Sequence, residues 1–471
     1  MKHRGALLVA LAPIALAGCW GDDDGYPASI SPPPAGTYAN LQVVDTSVDA
    51  PPMDVILDGK PFVTDLDYGQ GTGEQPIAPG SHSLLVQIET PGAPTTVIGP
   101  TTLDTTANTD YVVAVEGGVG SLQAPGLSLL TIPHQLAVVP PQSTRMQVLN
   151  AYSSPIAVYV SAPGADFSSA TLLGTAPPGG SLGPAVVSSG QLWLVDPESP
   201  FGPSGPITLE GGTDLVFSVL APVLVPGVVF YGPCCQFAVS AVDAFGDNSW
   251  PNIVSPSLRV INDSPDAPAL AIIENGNLTV VPTLAYEAST DYCCIGPPLA
   301  VVEPGVYRYE LAIALASNPS DVLASQDVDL RSGLYTAYSL YALGPLALIF
   351  PFITRDDYRG YSTQARLRII QGAPSAQVVD VYLTASGAGI AGAAPTYSAM
   401  PFATDTGFVS YVGGTYDLTV TLAGSKSPII GPVSVTLNNG GVYTAVARDA
   451  PGGGAPYGLI KLDNLLNPQP Y

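Results

Sequence analysis

Positive charge is scarce in this sequence. Lys and Arg number 14 against 38 Asp and Glu, and charged residues of either sign make up only 11% of the chain. Such a chain has no basic patch with which to hold nucleic acid or an anionic membrane face, so charge excludes both as partners. Histidine is nearly missing: there are three, His3, His82 and His134. A histidine-dependent triad or zinc centre has little to draw on. Nor does any apolar run reach the roughly 20 residues that cross a bilayer as a helix. Residues 340–353, "LYALGPLALIFPFI", come nearest and are broken by Pro345 and Pro351. Apolar residues themselves are plentiful at 46%, enough to offset chain entropy and exclude a disordered chain. Spread among them, 50 Gly and 49 Pro act as punctuation between short runs, which predicts an all-β chain with many turns.

The first residues read as a targeting segment. "MKHRG" is a basic start, "ALLVALAPIAL" an apolar stretch, and "LAGC" a small-residue site ending in Cys19. This resembles the bacterial lipoprotein signal, which implies that 1–18 are removed and that Cys19 carries acyl chains such as palmitate. Two or three chains, at about 0.8 kcal/mol per buried methylene, make attachment effectively permanent. The resemblance also implies a destination. Trp20 stands where an Asp would retain a lipoprotein at the inner membrane, so the outer membrane is expected, with the chain facing either periplasm or cell surface. Loss of Lys2 and Arg4 with the signal leaves twelve basic against 38 acidic residues, a formal charge of −26. Residues 19–37 then form a tether, since "WGDDDGYPASISPPPAGT" has nothing from which to build a core.

The remainder repeats itself four times. A strand followed by a polar, Pro-bearing turn opens each unit: "LQVVDTSVDAPPMDVILDGKP" at Leu41, "MQVLNAYSSPIAVYV" at Met146, "LRVINDSPDAPALAIIENG" at Leu258 and "LRIIQGAPSAQVVDVYL" at Leu367. A glycine then leads an alternating strand, at Gly80, Gly190, Gly305 and Gly414. Each unit closes on a leucine, a polar turn and an apolar strand, as in "LDTTANTDYVVAV" and "LNNGGVYTAVA". The expected domains are 38–140, 141–254, 255–362 and 363–471. Tyr416, Leu418, Val420 and Leu422 alternate with Asp417, Thr419 and Thr421, the period of a strand buried on one face. Asp58-Gly59, Asn275-Gly276 and Asn439-Gly440 supply residues that tolerate the positive φ of tight turns. The fold class read from this is four tandem immunoglobulin-like antiparallel β-sandwiches.

The order of strand, "SPDAP" or "GAPSA", "VDVYL", Gly-led strand and final "YTA" strand resembles the bacterial domain-of-unknown-function family 4397. Residues 264–273 and 373–383 carry it best, and the second unit carries it least. The resemblance implies a sandwich fold and a cell-envelope setting. It supplies no catalytic residue and no cofactor.

Several residue groups invite a site. Asp49, Asp54, Asp266 and Asp380 lie in or just after the opening turns, where acids on adjacent loops can bind calcium; capping of the turn's own backbone is the favoured reading, and no metal site is assigned. Beyond Cys19 stand two adjacent pairs, Cys234-Cys235 and Cys293-Cys294. Outside the cytoplasm they are disulfide candidates, with cross-pairing favoured over vicinal bonds or a four-thiolate metal site. "GGSLG" at 179–183 fits a serine nucleophile elbow in letters only, since both later histidines, His82 on a strand and His134 in a Pro-flanked linker, precede it. Trp193, Tyr307, Tyr309 and Tyr416 could stack on glycan, but share strand parity with Leu and Ile and are expected to face the core. No catalytic residue is singled out. The expected role is a non-enzymatic, structural, adhesive or binding protein of the envelope, touching cell-wall or extracellular polymers or other envelope proteins. Glycan or peptidoglycan binding is the alternative, and an envelope hydrolase a weaker one.

Overall fold

Opening and closing strands of each unit lie side by side, although some seventy residues separate them in sequence. The computed structural model describes residues 37–120, 126–199, 202–221, 237–251, 256–303 and 305–463. Among them helix is confined to single 3-10 turns such as Phe167–Ser169, Leu346–Leu348 and Pro374–Ala376. Eight sheets make four pairs. In the first pair, Gln75–Ile77, Ala39–Asp45, Thr109–Glu116 and Ser128–Gln135 form one sheet in that order. Lys60–Leu66, Met53–Leu57, Gly80–Ile88 and Thr95–Thr105 form the other. Leu41, Val43 and Val113 of the first sheet meet Val55, Leu84 and Val86 of the second in one buried core, so the chain folds as sandwiches. The same plan recurs around Val148 and Leu192, around Val260 and Ile272, and around Leu367 and Leu418.

The sheets are not wholly antiparallel as expected. In every unit the opening strand runs parallel to the closing one: Ala39–Asp45 with Thr109–Glu116, Ser143–Asn150 with Thr213–Leu220, Ser257–Asp263 with Thr336–Leu343, and Ala365–Gln371 with Val442–Arg448. A parallel pair needs a long crossover, and here the whole second sheet serves as one.

Two devices recur with this pairing. A residue at or next to the end of each opening strand accepts from the backbone N–H two residues on: Asp45 from Ser47 (2.8 Å), Asn150 from Tyr152 (3.0 Å), Asn262 from Ser264 (3.0 Å) and Gln371 from Ala373 (3.4 Å). That turns the chain toward the other sheet. A tyrosine near the start of the closing strand accepts from an upstream N–H through its hydroxyl: Tyr111 from Thr106 (3.0 Å), Tyr338 from Arg331 (2.8 Å) and Tyr443 from Asn438 (2.8 Å). This is the tyrosine corner of Greek-key sandwiches; Leu215 stands there in the second unit.

Glycine and proline do more than punctuate. Gly99-Pro100, Gly183-Pro184, Gly205-Pro206 and Gly431-Pro432 lie inside strands, each at a break in register and each on the outermost strand of its sheet. An edge strand can spare the N–H that proline lacks, and the bulge blunts an edge that would otherwise pair with another chain. Asp58 and Gly59 both take positive φ in a two-residue hairpin loop, as do Asn275 and Gly276 in a three-residue one. Asn439-Gly440 instead joins the two sheets of the fourth unit.

The opening strands are buried on both faces, so alternate residues serve two different cores. Val44, Val112 and Ala114 turn away from the first core and pack against Leu149, Val216 and Val242 of the second sandwich. Ile261, Tyr341 and Leu343 of the third likewise meet Ile370, Val446, Ile460 and Leu462 of the fourth. Tyr68, Leu220 and Leu334 bring the first, second and third units together.

Candidate functional site

Both sheet-to-sheet seams carry buried charge. In the seam between the first two sandwiches, Asn40 in the opening strand lies beside Asp110, and Asp110 lies opposite His134. Residues at one level of a sheet share a face, and this face points toward the second sandwich. Asn40 Nδ2 donates to Asp110 Oδ1 (2.9 Å) and to Glu74 Oε2 (3.4 Å). His134 Nε2 stands 3.4 Å from Asp110 Oδ2. From the second sandwich come Arg145 and its register partner Asp214. Arg145 Nε donates to Asp214 Oδ2 (2.6 Å), and Nη2 reaches Asp214, Asp110 Oδ2 (3.2 Å) and Glu74 Oε1 (3.6 Å). Glu74, Asp110 and His134 bring one donor atom each within 4.8 Å of one another. Burial first, then the charges of Asp110 and Asp214, push the Glu74 carboxyl up to about 8 despite Arg145.

The seam between the third and fourth sandwiches is built from the same strands but is balanced. Arg259 and Arg368 come from the two opening strands, Asp356 and Asp463 from the two last strands. Arg368 Nη1 donates to Asp356 Oδ1 (2.6 Å) and Arg259 to Asp463. Tyr292 and Thr354 hydroxyls donate to Asp356 at 2.6 and 3.0 Å, and Ser339 also bonds it. Burial alone would raise the Asp356 carboxyl; Arg368, Arg259 and the Ser339 and Tyr292 hydroxyls overcome it and hold it below the ordinary value.

A third cluster ties the first unit to the end of the third. The Arg359 guanidinium bonds Asp67 and lies 4.9 Å from the ring centres of both Tyr335 and Tyr361. Tyr335 also donates to Asp67, and Ser362 Oγ donates to Asp49 Oδ2 at 2.6 Å.

Between the second and third units lies a cleft of about 690 Å³. Trp250, Tyr307, Asn248, Arg331 and Glu210 are among its walls, and among the described residues Glu210 is the one carboxylate lining it.

The model of the family described as "Domain of unknown function (DUF4397)" matches residues 39–161 and 256–382, together more than half of the chain. The chain belongs to the DUF4397 family. Each DUF4397 match starts at the opening strand of an odd-numbered unit and runs into the first strands of the next, so the two matches take in most of the two charged seams but leave out Asp214 and Asp463. No curated protein matches the chain.

Within this DUF4397 chain the residues singled out in the sequence fall as follows. Asp49 accepts from the backbone of Val119 and Gly120 (3.0 and 3.1 Å), Asp54 from Asp65 (3.2 Å), Asp266 from Leu346 (2.7 Å), and Asp380 from Ala399 and Gly424 (2.7 and 2.8 Å). All four brace backbone, but that of segments distant in sequence rather than of their own turn as expected. His82 bonds Asp58 Oδ2 and the Ala78 carbonyl, both at 2.7 Å, fastening a hairpin. Ser181 of "GGSLG" lies on the edge strand Gly180–Ser188 rather than at a strand-to-helix elbow. Tyr309 is buried in its core as expected, and Tyr307 and Tyr416 pack partly against theirs; Trp193, between core residues Leu192 and Leu194, is instead buried on the other face of its strand, against Phe167. Cys19, Cys234 and Cys235 lie outside the described residues. Cys293–Cys294 pair as a short strand with Ser257 and Leu258.

His134 is the departure. It lies not in a linker but in the strand Ser128–Gln135, because exposed Thr131, Pro133 and Gln135 alternate with half-buried Leu130, Ile132 and His134 against the closing strand. The seams themselves were passed over in the sequence. Their signal is there: in a chain with so few cations, Arg145, Arg259, Arg366 and Arg368 all sit inside apolar opening strands.

Proposed function

We propose that this DUF4397 protein is a lipid-anchored, non-enzymatic protein of the bacterial outer membrane, presenting its four sandwiches as one head for a structural or binding role. The observation that carries the reading is Cys19, placed directly after the apolar run and Ala17-Gly18 and followed by a tether. The packed seams support a head rather than a flexible string, since four independent beads would expose Val44, Val112, Ile261 and Ile370 to water. Replacing Cys19 by Ser tests the anchor: the wild-type chain should partition with detergent and take up labelled palmitate, and the variant should do neither. Palmitate label on the variant would remove the proposal.

Which face of the membrane the head occupies decides its partners. Protease treatment of intact cells, with a periplasmic control protein, separates the two cases. Digestion favours contact with other cells or matrix, and protection favours peptidoglycan or envelope proteins. Cross-pairing of Cys234-Cys235 with Cys293-Cys294 would tie the second unit to the third in that oxidising setting, and a non-reducing peptide map reads it directly.

The cleft between those two units favours glycan binding as a second reading, because Tyr307 and Trp250 line it beside Asn248, Glu210 and Arg331. Retention of the chain on insoluble peptidoglycan, lost in Trp250→Ala, is the expected outcome; equal retention of the variant contradicts it.

A further inference from the structure

The two seams are built from corresponding strands yet differ in charge: Asp110 and Asp214 of the first correspond in register to Ala337 and Val442 of the second. In the third and fourth units, two guanidinium groups face two carboxylates. In the first and second, one guanidinium, that of Arg145, is shared by three carboxylates, those of Asp214, Asp110 and Glu74. Beside them stands His134, whose side chain is 8% exposed and whose ring nitrogens both lack a hydrogen-bond partner. Buried polar groups are ordinarily bonded, and an orphaned imidazole aimed at two carboxylates is an arrangement that a ligand completes.

We propose that Glu74, Asp110 and His134 form a binding site for a first-row divalent metal ion, of which zinc is the type. Two carboxylates and a neutral imidazole supply two negative charges and three donors, the set these ions take from proteins. Calcium does not fit, because it asks for six to eight oxygen ligands. The donor atoms lie within 4.8 Å of one another. Ligands about 2.1 Å from one ion stand at most about 4.2 Å apart, so small side-chain rotations close the ring. Asp214 keeps Arg145 neutralised while the ion is bound, and Asn40 Nδ2, already on Asp110 Oδ1 and Glu74 Oε2, orients both carboxylates from outside the ring. All three ligands belong to the first sandwich, so the ion would brace the sheet against which the second one packs.

The test uses the full chain in detergent micelles with cobalt(II) and zinc(II) as probes. Cobalt separates this site from the cysteines, since thiolate ligation gives intense near-ultraviolet charge-transfer bands and an oxygen–nitrogen set does not. The expected result is one equivalent of cobalt without thiolate bands, displaced by zinc and not by calcium. Uptake should fall at least tenfold in affinity in His134→Gln and in Glu74→Gln, two near-isosteric changes that keep the seam's shape. No saturable uptake, thiolate bands on the bound cobalt, or unchanged affinity in both variants would overturn the proposal.

Discussion

Arg368 of the fourth sandwich donates to Asp356 of the third at 2.6 Å, and neither side chain reaches solvent. An ion pair in that position contributes through the cost of breaking it: removing one partner strands a charge in a water-free interface. Asp356→Ala should therefore destabilise the chain by about 3–5 kcal/mol, measured by urea unfolding. Arg308 and Asp329, an ion pair of the same chemistry on the third unit, are 45% and 40% exposed. Arg308→Ala should leave the unfolding midpoint where it is. Equal losses in the two variants would contradict the importance given to burial.

The tyrosine corner makes a smaller, cleaner prediction. Tyr443 is buried and its hydroxyl satisfies the Asn438 N–H. Tyr443→Phe keeps the ring and removes the acceptor, so a loss of about 1 kcal/mol is expected. Leu215 occupies the equivalent place in the second unit, and Leu215→Phe there should bring no comparable loss, since no such bond exists to break.

Glu116 sets part of the pH dependence. It ends the first closing strand, is 9% exposed, and its Oε1 has no partner. Burial pushes its carboxyl from 4.5 up to about 7. Below the unfolded value both states hold the proton and nothing is lost. As pH rises toward 7 the unfolded chain releases its proton while the folded one keeps it, so stability falls across that window and levels off above it. Glu116→Gln should flatten this segment of the pH–stability curve; an unchanged slope would show that other groups set it.

Much of the architecture was legible in the sequence because local chemistry dictates it. The recurring opening strands begin at or near Leu41, Met146, Leu258 and Leu367, and the alternation of Tyr416 to Leu422 lies on a strand as expected, whereas the turn caps Asp45, Asn150, Asn262 and Gln371 were not singled out. The relation between units was not legible. Val44 and Val43 are equally apolar in the text, and only packing reveals that one faces its own core and the other its neighbour's. His134 was hidden for a related reason: Pro133 beside it suggests a break, yet an outermost strand tolerates proline. The charged seam followed from register, which pairs Asp110 with His134 across the sheet and cannot be counted off a single strand.

The central claim is that the four sandwiches fold against one another rather than hang in a line. Small-angle X-ray scattering on the chain from residue 20, without its lipid, measures this directly. A closely packed body of this length should give a radius of gyration of about 22–25 Å. Four beads of about 110 residues in line would give roughly 40 Å, and that value would contradict the account.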